Sequence, residues 1–215
     1  MAQAGTDTKI ISTDDPLATE LTENQIIIIA PHPDDELIGC WSVINHPTIR
    51  PIIIYTSHIT EERKAEALKL KDNEIVYFLE NDYLHKPNSQ KIIREGLKTG
   101  AAFVSLYDHP DKYLSPENGG NPYCAGGAED TRVYLTESTH WKITNSTTMT
   151  FAAKVSTLRE NEKILRKHTS TTHPNDFGMF MELRESNKLL ITPLPGYATH
   201  GETAWLSPLT DWSKI

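Results

Sequence analysis

The residues best equipped for chemistry are Pro31-His32-Pro33-Asp34-Asp35-Glu36, an imidazole and three carboxylates gathered into one short segment. Carboxylates so close repel one another unless a cation or several backbone N–H groups offset the charge, and a metal ion is the simplest offset. Imidazole nitrogen with carboxylate oxygen suits zinc or a neighbouring divalent first-row metal, and three protein ligands plus a water form the usual catalytic arrangement. The plainer alternative is a solvated loop in which Asp34 or Asp35 caps a following helix. The flanking residues favour chemistry, because the apolar run Ile26-Ile27-Ile28-Ile29-Ala30 leads straight into the segment. In an open parallel sheet, ligands bind just beyond the carboxyl ends of such strands.

The elements that must position this segment follow a regular rhythm. Residues 26–30 are β-branched and apolar on both alternating sets, the mark of a buried parallel strand. A helix is expected over 36–44 and a second strand over 51–55, which together make a β-α-β unit. Strong helix formers from 60 to 72, with Thr60 as cap, predict the next helix. Strands are expected at 74–79 and 101–107, with a helix at 89–97 between them. Strict alternation argues for a three-layer α/β fold with a mostly parallel central sheet. Beyond it come paired glycines (Gly119-Gly120, Gly126-Gly127) in a lid-like loop, strands at 132–135 and 148–151, and a helix over 152–167. The tail from Pro193, with Trp205 and Trp212, has no readable period. Residues 1–24 are polar and turn-rich and read as an N-terminal extension, leaving 25–215 as a single domain.

The whole chain of 215 residues carries 29 Asp and Glu against 21 Lys and Arg, a net charge of −8 with histidines neutral. That balance disfavours a nucleic-acid partner. No apolar run approaches the ~20 residues that cross a bilayer, and no basic leader precedes one, so neither a membrane span nor a signal peptide is expected. Cys40 and Cys124 fit neither a disulfide framework nor a cysteine-based zinc module, which points to a reducing, cytoplasmic setting. Gly-x-Ser-x-Gly and dinucleotide-binding patterns are missing, arguing against a serine hydrolase and a nucleotide cradle. Self-association is left open.

At Pro31 to Glu36 the chain resembles the PIG-L or LmbE family of de-N-acetylases, whose signature is a strand running into (Ala/Pro)-His-Pro-Asp-Asp-Glu. Supporting similarity lies in Ile53 to Ser57, in Arg63 and Glu66, in Val133 to Glu137 and in Lys163 to Ser170, so that it spans roughly 25–185. The resemblance implies a Rossmann-like fold, zinc as metal, and N-acetylated amino sugars as substrates. It also implies His32 and Asp35 as metal ligands and Asp34 as general base. The family's second motif, His-Pro-Asp-His, meets Tyr107-Asp108-His109-Pro110-Asp111-Lys112 here. Lys112 stands where a ligand histidine belongs, and a protonated lysine has no lone pair to give. A register shifted by three makes His109 the third ligand; the unshifted register makes His109 the acid and sets Lys112 at the oxyanion. We favour His109 as ligand and keep it as a candidate proton donor. Arg63, Trp41 and Lys112 are the expected substrate contacts, although Trp41 at a helix start also reads as plain core. The expected activity is metal-dependent release of acetate from a small N-acetylated amino-sugar-type molecule. The alternatives are a non-catalytic relative that binds without turnover and a metal-dependent phosphoester hydrolase.

Overall fold

The computed structural model describes the backbone of Ile26–Ala30 (β1) and Ile52–Tyr55 (β2), and residues 70–79, 82–124, 128–148, 150–170 and 174–215 with their side chains. The segment 31–36, Trp41, Arg63 and the expected helices at 36–44 and 60–69 lie outside the described residues, as does the extension 1–24. Residues 70–72, placed at the end of the second expected helix, instead form the turn into the next strand.

β1 and β2 pair in parallel, with Ile27 opposite Ile52, and β3 (Ile75–Phe78) flanks β1 on its other side, also in parallel. Isoleucine-rich runs of this length suit strands enclosed on both faces, where branched side chains pack well against their neighbours. After β3 the chain forms β4 (Tyr83–His85), α1 (Ser89–Lys98), β5 (Phe103–Val104), β6 (Val133–Leu135), β7 (His140–Thr144) and β8 (Phe151–Lys154). Helices α2 (Val155–Glu160), α3 (Glu162–Thr169) and α4 (Asp176–Glu185) follow, then β9 (Leu190–Leu194) and β10 (Ala198–His200).

Eight strands form one sheet in the order β2-β1-β3-β8-β5-β9-β7-β6, while β4 and β10 pair separately. The sheet is mixed, which corrects the expectation of a mostly parallel one. β2-β1-β3 and β5-β9 are parallel, but β8 runs against both β3 and β5, and β7 runs against β9 and β6. The reason for β7 is local: a four-residue turn joins β6 to β7, and a link that short makes only an antiparallel pair. β8 fills the slot between β3 and β5: Ala152 and Ala153 are good helix formers, yet they are fully buried there as strand residues. The helix expected over 152–167 therefore starts at Val155 and breaks at Asn161.

Helices cover both faces. On one, Ile92, Ile93 and Leu97 of α1 pack with Val104, Trp141 and Ile191; on the other, Met179, Phe180 and Leu183 of α4 pack with Phe103, Phe151 and Leu190. α1 approaches the sheet so closely that a Cβ on Gly96 would lie 2.7 Å from the Trp141 ring and 2.8 Å from Val104. Both neighbours are fully buried and cannot retreat. Gly96→Ala should therefore destabilise the fold by about 1–3 kcal/mol in urea titration, overpacking outweighing the ~1 kcal/mol gain in helix propensity.

Candidate functional site

β1, β3, β5 and β9 all point the same way, so their carboxyl ends share one edge of the sheet. β1 ends at Ala30, one residue before Pro31 and two before His32. β3 leads to Asp82 and β4, β5 to the turn bearing His109, and β9 to β10 and Trp205. β2 lies on one side of β1 and β3 on the other, which makes the β1/β3 junction the point where the strand order reverses. Sheets of this kind bind their ligands at that position.

The tail from Pro193 that had no readable period is sewn into this edge by its backbone. Leu106 O accepts from both Tyr197 N–H and Ala198 N–H, Tyr107 bridges Ala198, and Gly201 N–H donates to Asp82 O at 2.6 Å. Gly196 has no room for a side chain, because a Cβ would lie 2.3 Å from Ser207 Oγ and 3.1 Å from Asp108 N. These bonds also explain why the strand expected over 101–107 stops at Val104: Leu106 and Tyr107 leave the sheet to serve the tail.

His109 ends the β5 loop and begins the 3-10 turn Pro110–Tyr113. Its Nδ1 accepts from Asp111 N–H at 3.1 Å and lies 2.9 Å from Asp111 Oδ1. Burial pushes the Asp111 carboxyl up, but the bond to His109 and the charge of Lys112 outweigh it and hold the group below its ordinary value of 3.8. The His109 ring packs between Tyr107 at 4.9 Å and Trp205 at 5.3 Å. Burial, chiefly, and then nearby Tyr83 and acidic groups push the Tyr107 hydroxyl well above its usual range, so it stays protonated and donates to Trp205 O at 2.6 Å.

A second imidazole lies alongside. His200 Nε2 is 2.9 Å from Asp82 Oδ2, and its Nδ1 accepts from Glu202 N–H. Tyr83 meets both His200 and Tyr107 at 5.3 Å. Sequence reasoning missed His200 and Asp82, since two residues 118 positions apart leave no local signal. Of the other histidines, His85 bonds Tyr77 Oη at 2.9 Å, His140 is exposed on β7, and His58 lies outside the described residues.

Beneath the turn, residues 108–124 fold back over the sheet and enclose a group of charges. Lys142 Nζ sits 2.9 Å from Asp108 Oδ1 and 3.2 Å from Glu129 Oε2, and donates to Tyr113 Oη at 3.1 Å. Tyr113 Oη donates in turn to Asp108 Oδ2 at 2.8 Å. Lys112 is 1% exposed; its ammonium donates to Asn145 Oδ1 at 2.7 Å and to Ser146 Oγ, and lies 3.5 Å from Asp111 Oδ1. The expected substrate or oxyanion contact of Lys112 is not among these bonds, which anchor the turn to residues 145–146.

The donor chemistry at His109 suits a metal. Metal-ligating imidazoles donate one ring N–H to a carboxylate or carbonyl and ligate through the other nitrogen. Nδ1–H pointing at Asp111 Oδ1, 2.9 Å away, gives that tautomer, whereas Nδ1 accepting from Asp111 N–H puts the proton on Nε2. No hydrogen bond to Nε2 is made among the described residues. His32, Asp34 and Asp35 lie outside those residues, and among them no group of three or more His, Cys, Asp or Glu side chains gathers around a common point. Likewise, no described helix is long and apolar enough to cross a membrane.

No protein-family model and no curated protein matches this chain. Among solved structures, the crystal structure of A197 from STIV is similar, at 19% identity and a TM-score of 0.45, covering 86% of this chain and 90% of that one.

Two outcomes follow from the charges. Lys142→Met leaves Asp108 and Glu129 buried and unpaired, and should cost about 3–5 kcal/mol in chemical denaturation. Asp111, depressed in the fold, contributes stability that is present above 3.8 and lost as pH falls through its lower folded value. Lys142, raised in the fold, contributes below 10.5 and loses that contribution only as pH climbs above it. Thermal stability should thus stay level through neutral pH and fall below about pH 4, with Asp111→Asn flattening the acid limb.

Proposed function

We propose that this chain is a metal-dependent N-deacetylase that hydrolyses the N-acetyl amide of a small amino-sugar-type molecule, releasing acetate and a free amine. The observation that carries the reading is directional. β1 ends at Ala30, the residue before Pro31, on the same sheet edge at which β5 leads to His109, three strand spacings or about 14 Å away. Loop residues from both sides can meet across such a gap. The reading includes a Rossmann-like arrangement of β2-β1-β3, and a cytoplasmic setting in keeping with the free, buried thiol of Cys124.

In this reading His32, Asp35 and His109 would hold zinc or another divalent first-row metal, with Asp111 Oδ1 accepting from His109 Nδ1–H so that Nε2 keeps its lone pair for the metal. The metal supplies an acidified water and polarises the acetamide carbonyl. Asp34 takes the proton of the attacking water, and its carboxyl then carries that proton toward the nitrogen of the departing amine. An amide anion is too basic to leave unprotonated, so a donor at that atom is required. His109 is the alternative donor. The Trp205 and Tyr107 rings pack against the imidazole, which is left 18% exposed. Arg63 and Trp41 remain the expected substrate contacts.

The decisive measurement pairs metal analysis by inductively coupled plasma mass spectrometry with acetate release from N-acetylated amino sugars. Wild type should carry about one metal per chain and release acetate. His109→Ala should lose the metal, whereas Asp34→Asn should keep it and lose roughly 10²–10⁴ in turnover. Metal kept by His109→Ala would make His109 the acid; no metal and no acetate from the wild type, even with zinc supplied, would overturn the reading.

A further inference from the structure

An indole N–H taken out of water finds a hydrogen-bond partner. Two of the three described tryptophans obey: Trp141, fully buried, donates to Thr136 Oγ1 at 2.8 Å, and Trp212, buried as well, donates to Ser207 O at 2.8 Å. Trp205 differs. It is half-buried, and its indole N–H makes no hydrogen bond among the described residues. The ring is nonetheless held in place. The Trp205 carbonyl accepts from Tyr107 Oη at 2.6 Å, its backbone N–H donates to Glu202 O at 2.9 Å, and Ser207 N–H ties the turn to Thr199 Oγ1 at 2.7 Å. These bonds fix an aromatic surface 5.3 Å from the His109 imidazole, with an unspent donor at its rim.

We propose, resting on the deacetylase reading above, that Trp205 is the platform on which the sugar ring of the substrate lies. The apolar C–H face of the sugar packs on the indole, and one of its oxygens accepts from Nε1–H. A sugar ring is apolar on its faces and rich in acceptors around its edge, and an indole has the two matching parts, a flat apolar body and a donor at one end. Trp141 and Trp212 are enclosed and have spent theirs. Nearby charges narrow the ligand further. Segments 82–86, 105–113 and 195–207, which are bonded to one another beside Trp205, carry the carboxylates of Asp82, Asp108, Asp111 and Glu202 against the ammoniums of Lys86 and Lys112. Both lysines are committed, Lys86 to Gly196 O and Thr210 Oγ1, and Lys112 to Asn145 Oδ1 and Ser146 Oγ. Asp82 and Glu202, by contrast, reach water. These segments therefore hold no uncommitted lysine or arginine to meet a phosphate or a carboxylate, and the ligand that suits them is an uncharged N-acetylamino sugar.

The test is isothermal titration calorimetry of N-acetylglucosamine into the full chain, with acetate release and metal content measured on the same samples. Trp205→Ala should weaken sugar binding about tenfold. In turnover it should raise KM by a like factor with kcat little changed, the mark of a contact made equally in ground and transition states. Trp205→Phe keeps a ring against His109, and should bind with an affinity between the two while retaining the metal content and urea midpoint of the wild type. N-acetylglucosamine 6-phosphate should bind the wild type at least about tenfold more weakly than the uncharged sugar. Sugar bound through Trp205 without acetate release would end the deacetylase reading and leave the platform standing; acetate release with KM unchanged in both variants would do the reverse. A wild-type chain that binds no sugar, or binds the two sugars equally, would also overturn the assignment.

Discussion

The ammonium of Lys142 holds the candidate site together from below. It projects from β7 into a space closed by residues 108–124 and meets Asp108, Glu129 and Tyr113 at once. Without that charge, Asp108 and Glu129 would be desolvated and unpaired, and the segment would have no reason to lie against the sheet. With it, the backbone on either side of Asp108 is fixed: Tyr107 is free to bridge the tail, and His109 is set at the start of its turn. Lys112 repeats the device one turn later, tying the same segment to Asn145 and Ser146. Two lysines placed under a loop in this way are structural cations, and the turn they support is the one that carries His109.

The mixed direction of the sheet has its own use. β8 and β7 run opposite to β1, β3, β5 and β9, and β3 and β8 separate β1 from β5. β4 and β10 pair as a separate small sheet, which brings Asp82 and His200 together. A strictly parallel sheet would have required a crossover connection at each step.

Much of this was legible in the residues. The isoleucine runs declare β1 and β2, because branched side chains with no polar alternation fit only an enclosed strand. α1 was readable from Ser89 onward for similar reasons, and His109 drew notice through its neighbours Pro110 and Asp111. Other parts carried no signal. Ala152 and Ala153 look helical until β3 and β5 close around them. β4 and β10 are three residues each, too short for any period, and they exist only because they pair with one another. Lys112 resembled a site residue by position in a motif, but its burial depends on Asn145 and Ser146, more than thirty positions later. Asp82 with His200 and Lys142 with Asp108 are likewise products of topology, visible only once the strands are ordered.

His109 and Trp205 are separated by 96 positions in the chain, yet their rings lie 5.3 Å apart. During synthesis, β5 and its loop leave the ribosome long before β9, β10 and Trp205 exist. The Leu106 carbonyl that will accept two N–H groups from the tail must meanwhile be bound by water, and one wall of the imidazole stands open. The ring contacts around His109 are therefore completed only after the chain through Trp205 has been made.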